Sequence, residues 1–317
     1  MGDDKMKKLA TVMILAAGIL WGIMGLFVRS LNDLGLVSME IVALRAFSTS
    51  LLLFLILALG KRQLLRIRLK DLWCFLGTGI CSILFFNFCY FKAIELTSLS
   101  VAAVLMYTAP ILVMIFSHFL FHEPFTKRKL LALVITFAGC VLVTGVLGQE
   151  TAVSPMGILT GLGAGLGYAL YSIFSRYALN RGYHSLTITF YTCFIAAIGS
   201  LFLADLPHVG KVALHSPSTA LLSAGLGFIC TVLPFFLYTL GLSHVENSKA
   251  SIFASIEPVT ATLLGVLVFH EALSITGALG VLLVIAALII CGNTDEKSPK
   301  KEENANETKD FLLDRIP

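Results

Sequence analysis

Charge is scarce in this sequence: Asp, Glu, Lys and Arg together make up 13% of the 317 residues, against 57% hydrophobic. That balance excludes a water-soluble domain of this size, which needs about a quarter of its residues charged. Long polar connections are also missing, which excludes an inserted soluble catalytic or binding domain. The seven cysteines (Cys74, Cys81, Cys89, Cys140, Cys193, Cys230 and Cys291) include no C-x-x-C pair and all lie in or at the ends of apolar runs. Small-hydrophobe packing accounts for them better than a disulfide framework or a metal cluster.

Other absences narrow the chemistry. No G-x-x-x-x-G-K-[ST] stretch occurs, so the sequence offers no phosphate-binding loop, which disfavours ATP-driven work. The pairs His122-Glu123 and His270-Glu271 lack the second His of a zinc-protease helix, because Thr126 and Ser274 stand there. Both pairs read as helix-end residues. The run Gly161-Leu162-Gly163-Ala164-Gly165-Leu166-Gly167 has the wrong spacing for a dinucleotide fingerprint; with Gly18 and Gly22 it reads as a close-packing helix surface. No paired intramembrane Asp, complete metal set or nucleophile elbow is found. No cofactor is expected.

What the sequence has in plenty is apolar runs of span length. A helix crosses a roughly 30 Å hydrocarbon core with about 20 residues. Ten such runs fall near residues 9–30, 38–60, 72–94, 98–121, 129–147, 156–178, 185–205, 218–242, 247–269 and 273–292. The predicted fold is an all-α integral membrane protein of ten transmembrane helices. The polar stretch 293–317 reads as a disordered tail, with Phe311-Leu312-Leu313 as a weaker candidate interaction segment. Lys5, Lys7 and Lys8 before the first run resemble a signal peptide, but the run is of span length and reads as an uncleaved first helix.

The net charge of +4 reflects topology rather than a nucleic-acid surface. With the N-terminus inside, all but four of the 23 lysines and arginines fall on the cytoplasmic side. Arg29, Lys92 and Lys211 fall outside and Arg45 lies within a span. This bias predicts both termini in the cytoplasm and the cell membrane as location.

The sequence also repeats itself. Phe121-His122-Glu123 recurs as Phe269-His270-Glu271, and Pro110 falls on Pro258 in the same register. With a shift of one residue, Gly18, Phe27 and Arg29 fall on Gly165, Phe174 and Arg176, and Trp21 falls on Tyr168. Each half, 9–147 and 156–292, holds five runs. An odd number turns the second copy upside down, giving two inverted repeats with a shared site near the midplane and a physical route to alternating access. Charge agrees: Lys127-Arg128-Lys129 follows the first copy of the motif, and Ala272-Leu273-Ser274 follows the second.

The ordered set Trp21-Gly22, Leu44-Arg45-Ala46-Phe47, Ala109-Pro110, Phe121-His122-Glu123, Glu257-Pro258 and Phe269-His270-Glu271 resembles the drug/metabolite transporter superfamily, in particular its EamA-like branch. The resemblance covers nearly the whole chain apart from the tail. The family pattern usually has Gly where His122 and His270 stand here. The resemblance implies a secondary transporter of small organic metabolites, with export ahead of uptake, whose cavity is lined by helices one, three, four, six and eight. On those helices lie Trp21, Asn87, Tyr90, Tyr107, Tyr168, Tyr171 and Tyr238, an aromatic wall with hydrogen-bonding tips that suits a small amphipathic solute.

Glu257 stands out independently of any family. Ten residues into its run it lies about 15 Å deep, near the bilayer centre, where a lone acid is expensive and marks an ion or substrate route. A structural acid bonded to backbone or a hydroxyl is the plain alternative. Arg45 lies about 10 Å deep from the other face. Paired with a substrate carboxylate while Glu257 meets an ammonium, it would suit an amino acid; a structural arginine is the alternative. Pro110, Pro258 and Pro234 cannot donate, freeing the carbonyls of Met106, Ala254 and Cys230, and predict kinks or hinges. The expected partners are a small-molecule substrate, the lipid bilayer and protons, with a homodimer open as an assembly and no nucleic acid. A nucleotide-sugar or sugar-phosphate carrier is the nearest rival, although Arg45 is the one base available for it, and an intramembrane enzyme is the rival from another class.

Overall fold

The computed structural model describes residues 2–148 and 154–293. The predicted tail, 294 onward with its Phe311-Leu312-Leu313, lies outside the described residues. Among these residues every regular element is helical. Eight helices are long and apolar enough to cross a membrane. They are α1 (Lys5–Asp33), α2 (Ser38–Gly60), α3 (Leu69–Leu96), α4 (Leu99–Phe121), α6 (Pro155–Asn180), α8 (Pro217–Leu242), α9 (Asn247–Phe269) and α10 (Ile275–Gly292).

Of the ten predicted spans, eight form helices of that length among the described residues, and the other two form shorter helices. The run predicted at 129–147 forms α5 (Lys127–Val143), 17 residues long, and the run at 185–205 forms α7 (Ser185–Ser200), 16 residues long. Local chemistry ends both early. Gly145 takes a left-handed φ of 68°, a conformation glycine adopts without strain. After Ser200 the chain turns into Asp205, whose carboxylate accepts from the His208 N–H at 3.1 Å and starts a separate short helix, Leu206–His215.

Proline positions explain why three of the long helices are not straight. α4 breaks between Leu99–Met106 and Ala109–Phe121, and α9 between Asn247–Ala254 and Ile256–Phe269. Pro110 and Pro258 each sit in the first turn after the break, a position that tolerates a missing N–H, and the carbonyls of Met106 and Ala254 before the break go without that helical donor. α8 absorbs Pro234 differently: a π-helical stretch, Phe228–Val232, immediately precedes the turn that holds it. α3 carries a matching π stretch at Gly77–Leu84.

The packing of the helices follows the register of the sequence repeat. A methyl carbon placed on Gly18 of α1 would stand 2.8 Å from the carbonyl oxygen of Ala254, at the α9 break. One placed on Gly165 of α6 would stand 3.3 Å from the carbonyl oxygen of Met106, at the α4 break. The two glycines are repeat mates, and each lets its helix lie against a carbonyl that proline has freed. Likewise Phe27 fills the space above Gly225, and its mate Phe174 fills the space above Gly77.

The ends of α4 and α9 also correspond. His122 and His270 both adopt the left-handed conformation, at φ 56° and 53°. The next N–H turns back onto its helix, Glu123 to the Ser117 carbonyl at 3.2 Å and Glu271 to the Gly265 carbonyl at 3.1 Å. These are the positions where the family pattern has glycine, the residue that takes this backbone freely.

Candidate functional site

Helices α1, α2, α6, α8 and α9 bring the candidate residues together. Trp21, Arg45, Tyr168, Tyr171, Tyr238 and Glu257 line one cavity of about 60 Å³, room for a few water molecules or the polar head of a solute. Met24, Ser82, Ile83, Phe86, Ser172 and Phe235 complete its wall. A smaller hollow of about 10 Å³ lies beside it between the breaks of α4 and α9, lined by Tyr107, Pro110, Tyr168, Ser255 and Glu257 among others. Glu257 and Tyr168 belong to both.

The carboxylate is held by one hydrogen bond: Tyr168 donates its phenol O–H to Glu257 Oε2 at 3.1 Å. Tyr168 is in turn wedged between Trp21 and Phe86, with ring centroids 6.3 and 5.8 Å away and edge-to-face geometry. Trp21 also meets Phe235 and Tyr238 at 5.4 and 5.3 Å. The phenols on the opposite wall are already engaged, Tyr171 with Thr239 Oγ1 at 2.8 Å and Tyr238 with Ser172 Oγ at 2.7 Å. Their hydroxyls are therefore committed to protein partners, and their rings line the cavity. A cation entering it would meet a carboxylate and aromatic rings.

Arg45 supplies the opposite sign. It is 8% exposed, and its Nη1 donates to Met24 Sδ at 2.9 Å, a weak acceptor. Among the described residues it has no carboxylate partner. Buried charges are ordinarily paired, so an unpaired guanidinium at a cavity wall leaves strong donors for an anionic group. Ser82 Oγ, buried on the same wall, also lacks a partner among the described residues.

Two predicted residues lie elsewhere. Asn87 is 5% exposed and turns its Nδ2 onto the Ile83 carbonyl at 2.7 Å. Tyr90 stacks on Phe86 at 5.7 Å and is not among the residues that line the cavity. The π stretch of α3 is the reason: its i→i+5 turns rotate every later residue relative to an ideal α-helix, which brings Ser82, Ile83 and Phe86 to the cavity. Tyr107 lines the smaller hollow only.

One face of the molecule is sealed below the cavity. Glu123, at the end of α4, accepts from the N–H groups of Asn247 and Ser248 at 2.7 and 3.0 Å and from Ser248 Oγ at 2.6 Å, capping the start of α9. Arg176 of α6 donates to Asn247 Oδ1 at 2.7 Å and to the Val245 carbonyl. Asn247 Nδ2 reaches the Ser172 carbonyl at 3.4 Å, joining this cluster to the cavity floor. Beyond it, Asp71 ties α3 to α6 by accepting from Arg68 Nε at 2.8 Å, Arg181 Nε at 3.0 Å and the Tyr183 O–H at 2.8 Å. The Tyr183 hydroxyl and the Asp71 carboxylate hold the Arg68 guanidinium above its ordinary pKa.

Comparison with known proteins accords with this architecture. A transporter of Archaeoglobus fulgidus, described as uncharacterized, is 34% identical over 205 residues, covering 63% of this chain and 70% of that protein. The Bacillus subtilis protein described as uncharacterized transporter YxxF is 25% identical over 292 residues and 91% of each chain. One solved crystal structure superposes with a TM-score of 0.70 over 89% of this chain and 96% of its own, at 21% identity, which speaks to the fold alone. The sequence profile of the EamA-like transporter family matches twice, over residues 8–145 and 155–292. The chain is a multi-pass membrane protein and belongs to the EamA-like transporter family.

Proposed function

We propose that the protein is a secondary transporter of small amino-acid-like solutes, exporting them across the cytoplasmic membrane by alternating access. The observation that carries this reading is the cavity's pair of opposite charges. Glu257 and Arg45 line one small aromatic chamber, and Arg45 has no protein counter-ion among the described residues. A zwitterion satisfies both at once, its ammonium at Glu257 and its carboxylate at Arg45. A sugar phosphate would bring two negative charges to a site whose other ionisable lining residue is an acid.

Alternating access rests on two inverted five-helix halves with both termini in the cytoplasm. The repeat-related glycine seats, π stretches and left-handed histidines support it. In this arrangement α5 and α7 span as well. At 17 and 16 residues they reach about 25 Å, which local thinning and flanking residues accommodate. Glu257 is also the natural site for a coupling proton, because solute ammonium and proton compete for one carboxylate.

Counterflow in proteoliposomes with labelled amino acids, their decarboxylated amines and polyamines tests the reading. Amino acids are expected to exchange roughly 10- to 100-fold faster than the matching amines, the weight of a charge-assisted pair, with the difference lost in Arg45→Gln. Exchange of amines and amino acids at equal rates would overturn the zwitterion assignment.

A further inference from the structure

The sealed face and its opposite are built from the same residues. The repeat mates of Glu123, Arg176 and Ser248 are Glu271, Arg29 and Ser100. In the sealed cluster Glu123, 9% exposed, is docked on the N-terminus of α9. Glu271 is in position to do the same to the N-terminus of α4, where Leu99 and Ser100 correspond to Asn247 and Ser248. It does not: among the described residues it has no contact with either. Its carboxylate lies back over Gly265 of its own helix and 3.5 Å from Arg29, with both side chains more than half exposed. Arg29 likewise leaves the chain before α4 alone and covers the Phe269 ring at 4.2 Å. The first segment of α9 packs extensively on the second segment of α4, whereas the first segment of α4 makes no comparable packing on the second segment of α9.

We infer that Glu123 and Glu271 are alternate latches: docking Glu271 on the Leu99 and Ser100 N–H groups and the Ser100 hydroxyl closes its face as Glu123 releases Asn247 and Ser248. This inference rests on the alternating-access reading. Three features fit it. Ser100 keeps the hydroxyl that Ser248 donates to Glu123. The first turn of α4 offers the same free N–H donors and positive helix end that hold Glu123. The prolines at both breaks leave each first segment joined to its helix by a flexible point. The state described here has the Glu123 latch closed and the Glu271 latch open.

The test measures the distance between spin labels on Leu99→Cys and His270→Cys, by pulsed electron resonance on the full chain in nanodiscs, with Cys81, an exposed native cysteine, changed to Ser. Ser248→Ala removes one hydrogen bond to the charged Glu123. It is expected to raise the short-distance population roughly tenfold. Glu271→Ala, at a side chain more than half exposed, is expected to abolish that population. Combining the two keeps it absent. An unchanged distribution in Ser248→Ala, or a short-distance population that survives Glu271→Ala, overturns the latch. Solute counterflow on the same samples separates the two levels. Exchange with unmoved distances keeps the transporter reading and rejects the latch, whereas shifted distances without exchange support the latch and reject the assigned substrate class.

Discussion

Tyr168 and Glu257 meet at 3.1 Å where the break of α9 faces α6, and this hydrogen bond joins the two hollows of the molecule. It fixes the carboxylate toward the aromatic chamber from a neighbouring helix. Tyr168→Phe keeps the ring in its edge-to-face contacts and removes only the donor. Solute exchange is expected to fall about tenfold, the weight of one hydrogen bond to a charged group, with the melting temperature in detergent nearly unchanged. Unaltered counterflow would show that Glu257 needs no orienting partner.

The glycine seats under the helix breaks carry a second expectation. Gly18→Ala places a methyl 2.5 Å from Ile256 Cγ2 and 2.8 Å from the Ala254 carbonyl oxygen. Overpacking of this kind costs about 1–3 kcal/mol. A methyl at Gly25 meets nothing within 4 Å. Thermal melting of purified protein should therefore drop for Gly18→Ala and hold or rise for Gly25→Ala.

His122 and His270 carry a third. Both are exposed, and both take a backbone conformation that strains any residue with a Cβ. His122→Gly and His270→Gly are each expected to stabilise by up to about 1 kcal/mol, the left-handed strain less the added freedom of the unfolded chain. A lower melting temperature for His270→Gly would mean that the imidazole makes a contact worth more than the strain.

Asp71 carries a fourth. It is 3% exposed and accepts from two guanidinium groups and a phenol. Asp71→Asn leaves Arg68 and Arg181 close together without their shared anion. A lower melting temperature is expected, limited because Arg68 is largely exposed. It should be accompanied by faster proteolysis of the segment between α2 and α3.

Much of this architecture was legible in the sequence because lipid imposes strong rules. Span-length apolar runs, a proline pair in register and a lone intramembrane acid each have few physical readings. Asn87 and Tyr90 show where legibility stops. Their spacing places them on α3, but the π stretch that turns them from the cavity has no composition signal, since Gly77–Leu84 reads as ordinary apolar helix. Glu123 shows a second limit. As a helix-end residue it looked local, yet its three donors come from α9, far along the chain. Ser248 and Ser100, matched in the repeat, were the available signal. The short lengths of α5 and α7 were hidden for a different reason, because the chain just after Val143 and Ser200 stays largely apolar where the helices stop.

In the proposed cycle solute and proton share the Glu257 carboxylate. The direct measurement is solute movement in proteoliposomes with and without an imposed pH gradient, comparing wild type with Glu257→Gln. Wild type is expected to accumulate solute against its gradient when protons are driven the other way. Glu257→Gln is expected to lose accumulation altogether, with exchange falling at least as far as in Tyr168→Phe. Equal gradient-driven accumulation by the two proteins would contradict the account and leave Glu257 a structural acid held by Tyr168.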